Sequence, residues 1–356
     1  MKKFLIVTYI PFWKGGAGHA SRLCAIITYL KDKVDLTVLF VGQYFGDDEM
    51  RCQHFEGIKI HFLHGPGNSD LATSIKKFGV YMSDNSFDIV LLEYIEMYYL
   101  LGYIPRQTIK ILDTHDIISE KIKSFEKYDV PFNGMRLDID TEIAMFEAFD
   151  YVVLINKVDY QRILKKMPRK QLLLIPHPVS FVKREIRPKV SVISFIASEY
   201  APNIDAIEYF LKEVWPSFTE CDLSLNIYGR ITTKIAERDF ESKRIKLIGF
   251  TDNLEDVYAK SDIIINPVRA GAGLKIKNIE ALGNGLPLVT TSHGISGIED
   301  ARSALVVADS PSEFIYALRG LIEDFSLRKT LSRNASAYVQ KNFSTETCFR
   351  PFLSFL

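Results

Sequence analysis

The sequence predicts an α/β protein built from two doubly wound parallel sheets. Three observations lead there. Short apolar runs alternate with helical patterns from the first residues onward. The alternation halts at a proline-bracketed basic segment near residue 180 and then restarts. The 356 residues suffice for two domains of about 150 residues, each with its own core.

Taken in order, the first half offers strands at Phe4–Thr8, Leu36–Phe40, Ile58–Leu63, Ile89–Leu92, Ile109–Leu112, Val152–Ile155 and Leu172–Ile175. Helical patterns lie between most of them, near 17–30, 71–82, 118–126, 135–149 and 157–166. Pro176, Pro178 and Pro188 then bracket a strand-poor basic segment that reads as a linker, residues 179–189. Beyond it come strands at Val190–Ile196, Leu223–Tyr228, Lys246–Ile248, Ile263–Ile265, Leu288–Thr290 and Leu305–Val307. Pro202, Asn203 and Asp205 read as a helix start with Asn203 as its cap. The expected domains are therefore 1–178 and 190–341, with a Phe- and Leu-rich tail at 342–356.

Composition narrows the function classes. Lys+Arg and Asp+Glu balance at 44 each, so no basic field points to nucleic acid. Cys24, Cys52, Cys221 and Cys348 are far apart and form no C-x-x-C pair, which reads as reduced thiols and a cytoplasmic setting. No apolar run approaches the roughly 20 residues of a membrane span. The apolar run after Met1-Lys-Lys is short and reads as a first strand. His61 and His64 stand without nearby acids or cysteines, so no metal site is expected.

Two loops carry the chemistry. The first, Ile10 to His19, contains Gly15 and Gly16, but it does not spell G-x-G-x-x-G. The strand after it lacks a ribose-binding acid, which argues against a dinucleotide. The second runs from Pro267 through Gly271 and Gly273 into a helical pattern from about Leu274 to Leu282, stopped by Gly283 and Gly285. Loop glycines let backbone N–H groups approach an anion closely. At helical spacing Gly273, Lys277 and Glu280 share one stripe. Bare backbone, a cation and a carboxylate in series suit the phosphates and ribose of a nucleoside diphosphate. Glu93, Glu96 and the run Asp113-Thr-His-Asp116 lie at predicted strand ends, where such folds present ligand groups. His115 there reads either as a cleft-facing group or as a capped, salt-bridged one. The mixed basic and aromatic stretch 121–136 reads as an acceptor or membrane-surface face, or as ordinary packing.

The stretch Pro267, Arg269, Gly271, Gly273, Lys277, Glu280, Ala281, Gly285, Pro287 resembles the donor-site signature of retaining GT-B glycosyltransferases of the group 1, family-four-like type, in its bacterial branch. One position departs: many relatives carry a second glutamate eight residues before Glu280, where this chain has Ala272. The resemblance implies two Rossmann-like domains facing a cleft, with the final helix returning to the first domain. It implies donor contacts from Gly15, Gly16, Arg269, Gly271, Ala272, Gly273, Leu274, Lys277 and Glu280. It also implies a catalytic role for His115 beside the transferred sugar. The implied partners are a nucleotide-sugar donor and a glycan, lipid-linked or other small acceptor whose site is unknown. No cofactor or metal is implied, and a peripheral membrane contact is left open. Two rivals share these features: a nucleotide-sugar epimerase of the same fold, and a catalytically silent sugar binder.

Overall fold

A computed structural model of the chain describes every residue except Gly16, Gly46, 53–54, Pro66, 68–69, 168–170, 220–221, 238–243, Asp252 and Leu356. The chain divides into two compact units. The first comprises Met1–Ser119, Met135–His177 and Phe349–Leu356; the second comprises Glu120–Gly134 and Pro178–Cys348.

Seven strands form the sheet of the first unit: β1 (Lys3–Thr8), β2 (Asp35–Phe40), β3 (Lys59–Phe62), β4 (Ile89–Glu93), β5 (Ile109–Asp113), β6 (Tyr151–Leu154) and β7 (Leu172–Leu174). Their order is β3-β2-β1-β4-β5-β6-β7. Every pairing is parallel. The chain therefore winds outward one way from β1 and resumes at β4 on its other side. The reversal between β1 and β4 opens a crevice at their carboxyl ends. Phe4, Leu5, Ile6 and Val7 are fully buried, because a parallel strand is covered on both faces. Tail residues belong to this unit: Phe355 packs on Tyr151 and Phe349 on Tyr29.

The second sheet has six parallel strands: β8 (Val192–Ile196), β9 (Ser224–Tyr228), β10 (Ile245–Gly249), β11 (Ile263–Asn266), β12 (Leu288–Thr290) and β13 (Val306–Val307). The order β10-β9-β8-β11-β12-β13 repeats the first unit's logic, with its reversal between β8 and β11. A core of Ile193, Phe195, Ile227, Ile265, Phe210, Trp215 and Phe314 joins this sheet to its helices. Gly229 follows β9 at φ 98°, and a Cβ there would meet the Ala197 carbonyl oxygen at 2.0 Å. Only glycine fits that close approach.

Three details differ from the sequence reading. Residues 120–134 cluster with the second unit although the chain order sets them in the first half. The segment 179–189 is hydrogen-bonded into the second unit. Val179 N–H donates to Phe343 O, Val182 N–H to Gly283 O, and the buried Arg328 guanidinium to the carbonyls of Arg187 and Pro188. The helix after β8 starts at Ala201 with Tyr200 as its N-cap; Pro202 sits in its first turn, as a residue without N–H can. Asn203 lies inside that turn and donates to the Ser198 carbonyl.

Candidate active site

The loop after β11 and the loop after β8 flank the reversal point of the second sheet. This is the place where open parallel sheets bind ligands. Arg269 crosses between them. Its guanidinium donates to both Asp205 carboxylate oxygens, at 2.6 and 3.2 Å, and lies 4.5 Å from the Tyr209 ring centre. Arg269 thus ties the glycine loop to the helix after β8.

The glycines shape the loop. Gly271 has φ 123° and Gly273 φ 66°, both on the left-handed side that side chains disfavour. For that reason Gly273 is not helical, and the helix begins only at Ile276 and runs to Gly283. The predicted stripe is corrected accordingly: Lys277 and Glu280 share a helix face, and Gly273 precedes it. Ala272 O and Gly273 O both accept from Lys275 Nζ, at 3.1 and 3.2 Å, while Leu274 is buried. The Gly271 N–H donates to Ser124 Oγ at 3.0 Å. Ser124 arrives on the helix Ile118–Lys127, whose Phe125 is buried against Val130 and Ala270.

Glu280 is held on one oxygen. Its Oε2 accepts from Lys277 Nζ at 2.9 Å and from Tyr258 OH at 2.8 Å. Behind the loop, the fully buried Asn278 accepts from Asn266 and donates to Thr290 Oγ1 and Gly294 O. It pins the ends of β11 and β12 to the loop at 294–297. His293 lies beside Gly271: its Nε2 and Lys275 Nζ are each 3.8 Å from where a Gly271 Cβ would sit. Burial first, and then the Lys275 charge, push the His293 pKa down to about 3, so the ring is neutral at ordinary pH.

In the first unit, His115 is buried, and its Nε2 meets Glu93 Oε2 at 2.5 Å. Asp113, also fully buried, receives Arg22 Nε and Nη2 at 2.7 and 3.1 Å. Burial lowers the His115 pKa, but the Asp113 and Glu93 charges outweigh it, and the net shift is upward. The His115 ring stacks on Tyr94 at 4.1 Å. Glu93, Asp113 and His115, all expected at strand ends, bring ligand-type atoms within 4.8 Å of one another. Arg22 already engages both Asp113 oxygens, so this grouping reads as a buried salt-bridge network.

The structure brings together Arg269, Gly271, Ala272, Gly273, Leu274, Lys277 and Glu280 in the second unit. Gly15, at φ 59°, and His115 belong to the first; Gly16 lies outside the described residues. The sequence reading missed Ser124, Tyr258, Lys275 and His293. His293 follows the end of β12 and had a strand-end signal. Ser124 lies 147 residues from its partner and had none.

The fold is that of GT-B glycosyltransferases, with two parallel-sheet α/β domains. Residues 190–324 match the family model described as glycosyl transferases group 1. Among solved structures, the chain is similar to Anabaena HepE in complex with UDP and glucose, at 13% identity, covering 99% of each chain with a TM-score of 0.74. It is similar to sucrose-phosphate synthase from Thermosynechococcus elongatus at 14% identity, over 99% of this chain and 98% of that one, with a TM-score of 0.75. A TarM mutant of S. aureus in complex with Fondaparinux, alpha-GlcNAc-glycerol and UDP gives 10% identity, coverage of 100% and 99%, and a TM-score of 0.78. Among curated proteins, an uncharacterized 44.6 kDa protein in the cps region of Klebsiella pneumoniae is 28% identical over 137 residues. That similarity spans 36% of this chain and 35% of the relative's length. Among the described residues, no helix is long and apolar enough to cross a membrane.

Proposed function

We propose that the protein is a retaining, metal-independent glycosyltransferase that moves a sugar from a nucleoside diphosphate sugar to a glycan, lipid-linked or other small acceptor. One observation carries this reading. The glycine loop with Lys277 and Glu280 behind it sits at the reversal point of the sheet, inside the segment that matches the group 1 model. HepE, of the same fold, is described in complex with UDP and glucose.

In this reading the second unit holds the donor. Glu280 keeps one oxygen on Lys277 and Tyr258 and offers the other to ribose hydroxyls. N–H groups of the 271–274 loop face the diphosphate, with Lys275 and Lys277 as nearby cations. Charge on the departing diphosphate grows in the transition state, and fixed donors there lower the barrier. The leaving phosphate takes the acceptor proton on the same face, which gives retention. His115, held through Nε2 by Glu93, acts beside the sugar. The resemblance also assigns donor contacts to Gly15 and Gly16. Arg269 supports the loop through Asp205.

A thermal-stability screen of nucleotide sugars tests the reading. A donor at a hundred times its dissociation constant adds about 2.7 kcal/mol of stability. Turnover of that donor in excess EDTA is expected to stay near the untreated rate. A donor that binds yet is neither transferred nor hydrolysed would make the chain a silent sugar binder.

A further inference from the structure

Three neighbouring strands of the first sheet each end in an aromatic ring. Tyr9 directly follows β1, Tyr94 directly follows β4, and His115 lies two residues after β5. The rings form a layered stack: Tyr9 and Tyr94 are 5.6 Å apart at 22°, Tyr94 and His115 are 4.1 Å apart at 13°. The stack runs from interior to surface. His115 is 6% exposed and fixed by Glu93, whereas Tyr9 is 38% exposed. It stands at the reversal between β1 and β4, where this sheet would bind a ligand.

The backbone is bent to build it. Tyr94 has φ 75° and ψ 143°, and His115 has φ 58°. A bulky residue such as Tyr94 in that region is an outlier, and such strain persists only where the surroundings enforce it. Here the Tyr94 N–H donates to Asp113 O, and its ring is sandwiched between Tyr9 and His115. Burial, and then the charges of Glu96 and Asp116, push the Tyr9 phenol far upward, so it stays a neutral hydroxyl with carboxylates close by.

A flat ring backed by a rigid stack, with its own phenol at the margin, suits one ligand class. The axial C–H face of a pyranose is apolar and stacks on an aromatic ring, while its equatorial hydroxyls reach outward to carboxylates and phenols. We propose that Tyr9 is the stacking platform for a pyranose ring of the saccharide acceptor, with Tyr94 and His115 as its rigid backing. This rests on the glycosyl-transfer reading for the word acceptor; the platform itself does not.

Saturation-transfer NMR with methyl α-glucopyranoside, methyl α-galactopyranoside, methyl α-mannopyranoside and methyl N-acetyl-α-glucosaminide tests it, using the full chain with UDP present. The parent and Tyr9→Phe should saturate the axial ring protons of at least one glycoside. Tyr9→Ala should weaken that binding at least fivefold. Calorimetry with UDP on all three proteins reports folding and the nucleotide site, and should agree within twofold. A folded parent that binds no glycoside, or equal binding by Tyr9→Ala, overturns the platform. If Tyr9→Ala spares the glycosides but weakens a nucleotide sugar relative to UDP, the ring serves the donor's sugar and the acceptor assignment is overturned. If UDP does not bind the parent while the glycoside loss persists, the transfer reading fails and the platform stands.

Discussion

Ser124 Oγ accepts the N–H of Gly271 at 3.0 Å, so a hydroxyl from the first half of the sequence occupies an amide of the glycine loop after β11. Backbone amides in glycine loops are the groups that hold phosphate. An amide engaged by a neutral hydroxyl is satisfied without ligand. Under the proposed function, Ser124 competes with the diphosphate for this amide.

Replacing Ser124 by alanine removes that competitor. The free protein loses one net hydrogen bond of about 1 kcal/mol, and its melting temperature falls. UDP binding should tighten by up to about fivefold, the same energy seen from the other side. Calorimetry on parent and Ser124→Ala checks it; weaker binding would mean that the hydroxyl helps hold the ligand.

Arg269 and Asp205 should behave as one unit. Their side chains are 33% and 25% exposed, so solvent screens the pair, and a double-mutant cycle in urea should give a coupling of about 0.5–1 kcal/mol. Arg269→Ala should lower stability while changing UDP affinity less than loss of Glu280 does. An Arg269→Ala protein of parental stability with much weaker UDP binding would move this arginine onto the phosphates.

The buried pair in the first unit predicts a pH dependence. His115 is shifted upward because Asp113 and Glu93 outweigh its burial, and Glu93 is shifted upward by burial and then by Asp113. Both groups hold protons more tightly folded than unfolded. Stability from this pair is thus present at low pH and lost as pH rises from the ordinary carboxylate range, about 4.3, through the folded values. Urea midpoints at pH 5.5, 7 and 8.5 should fall more steeply for the parent than for Glu93→Gln. Equal slopes would contradict the coupling.

Much of this architecture was legible in the residues. Strand positions came within two residues of those observed, because parallel strands buried on both faces read as continuous apolar runs. The glycine loop was legible for a similar reason: Gly271 and Gly273 take dihedrals that other residues avoid. Partner identity was less accessible. Asp205 and Tyr258 reach Arg269 and Glu280 only after folding, and short-range periodicity carries no trace of such pairings. The Tyr94 conformation was also hidden, since a strained tyrosine looks like any other in sequence.

The central claim is that the second unit grips a nucleoside diphosphate through its loop and Glu280. Titration calorimetry of UDP, GDP, ADP and dTDP against the parent and Glu280→Ala tests it most directly. The parent should bind at least one of them, and Glu280→Ala should lose about 1.5–3 kcal/mol of that affinity, as expected for a charged hydrogen-bond partner. With a matching donor, that loss should appear in KM more than in kcat, because ribose hydroxyls are present in both ground and transition states. A parent that binds none of the four, or a Glu280→Ala protein that binds its ligand as tightly as the parent, would contradict the account.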